Sequence, residues 1–174
     1  LPGGSTASAA GTTLRVVTST SVFADLVANV AGERAEVSSL IPVGADPHTW
    51  EPSTAQARAL ATADVFFYNG LGLEPWAERT ITNVGRRDLM AVRLSDGLEP
   101  IGDVSFHVPV PSQSQMTSGR TTPDPMTSTR RSADHDDHHH DGDPHFWLDI
   151  TNAMHYVRRI EQALSAADPS GAAY

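Results

Sequence analysis

The sequence predicts an α/β fold, a parallel β-sheet flanked by helices. From Leu14 to Leu94, short β-prone runs alternate with segments of helical apolar spacing. That alternation is the pattern of strands joined by crossover helices. The punctuation agrees with it, because Gly32, Pro42 and Asn69-Gly70 each stand where one element should stop. A chain of 174 residues with 39% hydrophobic content is long enough for one domain with a buried core.

Leu14-Arg15-Val16-Val17-Thr18 reads as the first strand, and Val22, Phe23, Leu26, Val27 and Val30 then recur at helical spacing up to Gly32. Glu36 to Ile41 reads as the second strand. Ser53-Thr54-Ala55-Gln56 fits a capping box that opens a helix through about Thr62. Asp64 to Tyr68 is the third strand, Pro75 to Val84 a helix, and Leu89 to Leu94 the fourth strand. Residues 104–143 are rich in Pro, Ser and Thr and carry no period that would bury a face, so they read as a low-complexity loop. Beyond it, Met154, Val157, Ile160 and Leu164 form an apolar helical stripe that should end at Asp168-Pro169-Ser170-Gly171. The domain plan is therefore a spacer at 1–13, an α/β lobe at 14–103, the loop at 104–143, and a final segment at 144–174.

The spacer, LPGGSTASAAGTT, is made of small residues and suits either the mature end of an exported or tethered protein or an ordinary frayed terminus. No apolar run approaches the length of a membrane span. The lipid-accepting cysteine of a lipoprotein is not in this chain, so membrane contact is expected only through a lipid anchor lying outside it. The formal charge of −9 argues against nucleic acid or an anionic membrane surface and makes cations the natural ligands. All basic side chains are arginine, which removes phosphate-loop lysines and Schiff-base chemistry. Without cysteine, disulfides and thiolate sites are excluded, and any metal site must use nitrogen and oxygen.

Such donors are concentrated in three places. Asp46-Pro47-His48-Thr49-Trp50-Glu51-Pro52 and Asp143-Pro144-His145-Phe146-Trp147-Leu148-Asp149 each place one histidine behind an Asp-Pro bend, and His135-Asp136-Asp137-His138-His139-His140-Asp141 lies between them. Proline locks its own φ and pushes its predecessor toward extended geometry, so each bend holds an imidazole on a stiff backbone. Neutral imidazole is the commonest metal ligand and suits zinc. His48 also follows the second strand, where ligands of open parallel sheets gather.

DPHTWEPST and DPHFWLD, flanking a histidine-rich insertion and preceded by LRVVTSTSVFADLVANVAGE, resemble the metal-binding proteins of zinc and manganese ABC importers. The resemblance runs from about Leu14 to the C-terminus. It implies two α/β lobes joined by a long rigid helix, with the metal between them. On that resemblance His48 and His145 are the first lobe's ligands, and the second lobe, which supplies the remaining two, is absent from this chain. The final segment would then be the second ligand motif and the start of the connecting helix. The implied function is capture of Zn2+, with Mn2+ or Fe2+ as alternatives, and delivery to an ABC permease outside the cytoplasmic membrane, in the periplasm or on that membrane's outer face. Two ligands alone leave a tetrahedral site half filled. The chain by itself is expected to release metal quickly and to leave the stripe of its last helix partly uncovered, favouring self-association.

Around this pair, other residues have smaller parts. Glu51 reads first as a surface carboxylate at a helix entrance and only second as a minor metal candidate. His135, His138, His139 and His140 suit a low-affinity metal collector, or else a simple solvated loop. Asp149 reads as a helix N-cap, and His155, facing Arg158 and Arg159, as solvated. His107 carries no argument. Ile150 stands where similar proteins carry proline, and its presence is expected to loosen that helix start. Two competing functions use the same histidines: a zinc-dependent hydrolase, and a surface metal buffer or adhesin. The hydrolase lacks a sequence frame, since the chain has no His-Glu-x-x-His helix, Gly-x-Ser-x-Gly elbow or phosphate loop.

Overall fold

The computed structural model describes residues 13–99 and 143–171. The spacer up to residue 12 and the loop up to residue 142, with His107, His135, His138, His139 and His140, lie outside the described residues. Strands β1 (Leu14–Thr18), β2 (Ala35–Ser39), β3 (Val65–Tyr68) and β4 (Met90–Arg93) form one sheet in the order β2-β1-β3-β4. Every pairing is parallel. Helices α1 (Ser21–Ala31), α2 (Thr54–Thr62), α3 (Ala77–Val84) and α4 (Ile150–Ala167) cover it.

Side chains alternate across a strand, and that period divides the core into two layers. Val16, Val65 and Phe67 face one way and pack with Phe23 and Val27 of α1 and with Tyr156, Ile160 and Leu164 of α4. Val17, Phe66 and Tyr68 face the other way, toward Leu60 of α2 and Trp76 and Ala77 near the start of α3. All four residues of β3 are buried, as expected for a strand covered on both faces. Truncating Phe66 to alanine would remove a fully buried ring at a cost of about 3–5 kcal/mol.

Several element boundaries differ from expectation. The ladder of β2 begins at Ala35, one residue early, and its last regular residue is Ser39. Leu40 and Ile41 still donate to the carbonyls of Thr18 and Ser19, both at 2.9 Å, so the pairing continues as the strand leaves the sheet. Helix α3 starts at Ala77 rather than Pro75, because Pro75 and Trp76 belong to the preceding turn. The capping box at Ser53 and Gln56 is present as predicted.

The apolar stripe of α4 requires a larger correction. Ile160 and Leu164 are buried, but Met154 is 51% exposed and Val157 36% exposed. The buried face runs instead through Tyr156, Ile160, Ala163 and Leu164 against α1 and the sheet. Helix α4 is thus part of this lobe's core, and the surface left uncovered is narrower than the predicted stripe.

Strand order determines where a ligand can sit. The chain leaves β1 for β2 on one side and returns to β3 on the other. A crevice opens at such a reversal, beyond the carboxyl ends of the strands. Ser19, the segment after β2 that carries His48, and the turn after β3 that begins at Asn69 all lie at that edge.

Candidate metal site

The two Asp-Pro-His bends are built alike. Asp46 Oδ1 accepts the backbone N–H of His48 at 3.0 Å, and Asp143 Oδ1 accepts that of His145 at 2.9 Å. In each case the aspartate turns the chain back on itself, which short polar side chains do readily two residues ahead of their target. The bends then diverge. Asp46 spends its second oxygen on the Thr49 hydroxyl at 3.3 Å, whereas Asp143 Oδ1 also meets His145 Nδ1 at 2.6 Å. The N–H bonds from His145, backbone first and ring second, hold the Asp143 carboxyl below its usual pKa.

This contact orients the ring. With Nδ1–H donated to a carboxylate, the Nε2 lone pair of His145 is free, the arrangement that metal-binding histidines generally use. That nitrogen lies 3.3 Å from Nε2 of His48, and the ring centroids are 5.3 Å apart at 65°. The fold thus brings together two histidines separated by 97 positions. Zinc–imidazole bonds of about 2.0–2.1 Å at a tetrahedral angle place two nitrogens about 3.3–3.4 Å apart. A single cation could therefore bridge both nitrogens with little movement, taking the place of a proton shared between them. Trp147 walls one side, edge-on to His145 at 5.3 Å and to Phe23 at 5.2 Å.

Among the described residues, no group of three or more His, Asp or Glu side chains converges in a way that could hold a metal. The carboxylate of Glu51 is engaged through both oxygens by Arg79 of α3, each at 2.8 Å. Asp149 caps α4 as predicted, accepting from the N–H groups of Thr151 at 2.8 Å and Asn152 at 3.1 Å. His155 differs from its solvated expectation: it is half-buried, with Nε2 at 2.9 Å from the carbonyl of Asp96. The reason is the turn after β4, which folds onto this face of α4, where Arg159 also reaches Asp96.

Beneath the histidines lies a polar cluster that sequence reasoning missed. Glu74 is 5% exposed, and its carboxylate accepts from the Ser19 hydroxyl at 2.5 Å and from the N–H groups of Asn69 and Gly70, both at 3.1 Å. Burial raises its pKa, with these hydrogen bonds opposing the rise. The Asn69 side chain donates to the Pro144 carbonyl at 2.9 Å. The only local signal was Asn69-Gly70 as a turn, and a turn signal says nothing about a partner 75 positions away.

The family profile described as zinc-uptake complex component A, periplasmic (ZnuA), matches residues 16–174. The manganese-binding lipoprotein MntA of Halalkalibacterium halodurans is 34% identical over 163 residues, which cover 93% of this chain and 42% of that protein. The Mn-bound periplasmic metal binding protein of Candidatus Liberibacter asiaticus superposes with a TM-score of 0.66 at 28% identity, over 91% of this chain and 47% of that one. The Zn(II)-bound ZnuA-like domain of AdcA from Streptococcus pneumoniae gives 0.66 at 21% identity, over 91% of this chain and 46% of its own, which is a likeness of fold. The chain thus spans less than half the length of these relatives.

Proposed function

The chain belongs to the family of periplasmic zinc-uptake component A, and on that premise we propose that it is the first lobe of an ABC importer's metal-binding protein. It takes a divalent cation on His48 and His145 and presents it to a permease. The observation that carries this reading is the 3.3 Å separation of the two Nε2 atoms, which suits two vertices of one tetrahedral ion. The zinc-hydrolase alternative falls with family membership, because the relatives are named as binding proteins of transport rather than as enzymes. The lobe works outside the cytoplasmic membrane, in keeping with the family's periplasmic description.

Zn2+ is the cation assigned. Imidazole nitrogen suits zinc, while manganese favours oxygen donors. Mn2+ is the second reading, since the relative from H. halodurans is named for manganese. Fe2+ has no observation of its own. The remaining ligands come from a second lobe, with α4 as the start of the helix leading to it. His135, His138, His139 and His140 serve as a low-affinity collector, whose deletion lowers stoichiometry and leaves the principal affinity in place.

Isothermal titration tests the site and the metal together. The parent chain should bind zinc more tightly than manganese, and His48→Ala and His145→Ala should each weaken zinc binding. Parent affinity in the double variant would remove the site assignment, and tighter manganese binding would reverse the choice of metal.

A further inference from the structure

We propose that Asn69 is the positioning residue of the metal site, gripping the peptide unit of His145 from below while Tyr156 on α4 anchors the Asn69 side chain. The proposal rests on the reading of His48 and His145 as metal ligands. The carbonyl of Pro144 and the N–H of His145 belong to one planar peptide group and point in opposite directions. Asn69 Nδ2 takes the carbonyl at 2.9 Å, and Asp143 Oδ1 takes the N–H at 2.9 Å. The plane that carries the His145 side chain is therefore clamped from both edges.

Asn69 is fit for this because it has no freedom left. It is fully buried at the end of β3. Its backbone N–H goes to Glu74 at 3.1 Å, and its carbonyl accepts from Ser95 twice, from N–H at 3.3 Å and from the hydroxyl at 2.6 Å. The side-chain NH2 serves both Gly70 and Pro144 carbonyls, each at 2.9 Å. Its Oδ1 accepts from the Tyr156 hydroxyl, also fully buried. A carbonyl can only accept, so a flipped amide would set its oxygen against the Gly70 and Pro144 carbonyl oxygens, whereas the Tyr156 hydroxyl could meet either end. The two carbonyls therefore select the working orientation, and the Tyr156 hydroxyl holds the amide there by donating to Oδ1. Burial raises the phenol's pKa and keeps it a donor.

The test pairs zinc affinity, from competition with a chelator, with amide hydrogen exchange of the metal-free protein. Asn69→Ala should lower zinc affinity by about tenfold or more, the usual cost of losing a group that orients a ligand. Tyr156→Phe, which removes one hydroxyl and keeps the ring in the core, should lower it in the same direction. In both variants exchange at the His145 amide should accelerate while the amides of Val16 and Phe66 keep their protection. Unchanged zinc affinity in either folded variant would overturn the proposal. So would a loss of affinity accompanied by equal acceleration at Val16 and Phe66, which would mean general loosening. If Asn69→Ala does not fold, Tyr156→Phe decides alone. His48→Ala is the control: unchanged zinc binding there would overturn the metal-site reading itself, independently of the exchange data.

Discussion

Asp46 and Asp143 occupy the same position in two nearly identical bends, yet their side chains have different work. Asp46 holds backbone and the Thr49 hydroxyl, while Asp143 holds both the backbone and the ring of His145. A carboxylate on the far ring nitrogen fixes tautomer and orientation and makes the metal-facing nitrogen more basic. Asp143→Asn should therefore weaken zinc binding by about 10–100-fold, and Asp46→Asn should weaken it distinctly less. Titration of both variants checks the asymmetry, and equal losses would mean that the bends act only through their backbone. This difference explains what was legible at the scale of residues. The histidine pair proposed as ligands could be picked out because Asp-Pro-His is local, and its convergence expected because two such motifs resemble a known family in their order. Asn69, Glu74 and Tyr156 could not, since their roles depend on partners 75, 55 and 87 positions distant. Nothing local in Leu73-Glu74-Pro75 marks that glutamate as buried before the fold closes over it.

Among the elements, strands and helix caps follow from the sequence with little loss because their signals are short-range. The capping box of α2 and the Asp149 cap of α4 are such cases. Helix α4 departs from its expected stripe on one face because it is apolar in two directions. Met154 and Val157 share Ile160 and Leu164 with the true stripe, and Tyr156, which anchors that stripe, counts as half polar in any periodicity argument. The start of α4 also yields a prediction. Ile150 is the first helical residue and 77% exposed, while Asp149 before it is extended, with φ −89° and ψ 131°. Proline fits a first helical position that follows an extended residue, and it narrows the unfolded ensemble. Ile150→Pro should therefore stabilise the metal-free chain by about 0.4–1 kcal/mol, read as a higher urea midpoint. A lower midpoint would show that the backbone at Ile150 is not free to accept the ring.

For the molecule as a whole, protons should act in opposite directions on the fold's own stability and on the contribution of a bound metal. The raised pKa of buried Glu74 means that the folded state holds a proton which the unfolded chain releases above its ordinary value of 4.5. That contribution is complete below 4.5 and is lost as pH rises through the folded value. Asp88, Asp143 and Asp168 are lowered from 3.8, so their contributions are present above that value and fade as pH falls beneath it. The metal-free chain should therefore gain stability as pH falls from the raised folded value of Glu74 toward 4.5, and lose it in stronger acid. Glu74→Gln should flatten the gain, although it also leaves the Gly70 N–H without its acceptor at a cost of about 1–3 kcal/mol. Zinc adds a term of the other sign. At a hundredfold excess over its dissociation constant it should contribute about 2.7 kcal/mol. Because imidazole must be neutral to ligate, protons remove that contribution as pH falls. Denaturation curves with and without zinc should lie well apart at neutral pH and converge on mild acidification as the zinc contribution is lost. His48→Ala and His145→Ala should show the convergence already at neutral pH. Curves that stay separated in acid would mean that carboxylates rather than the imidazole pair hold the metal.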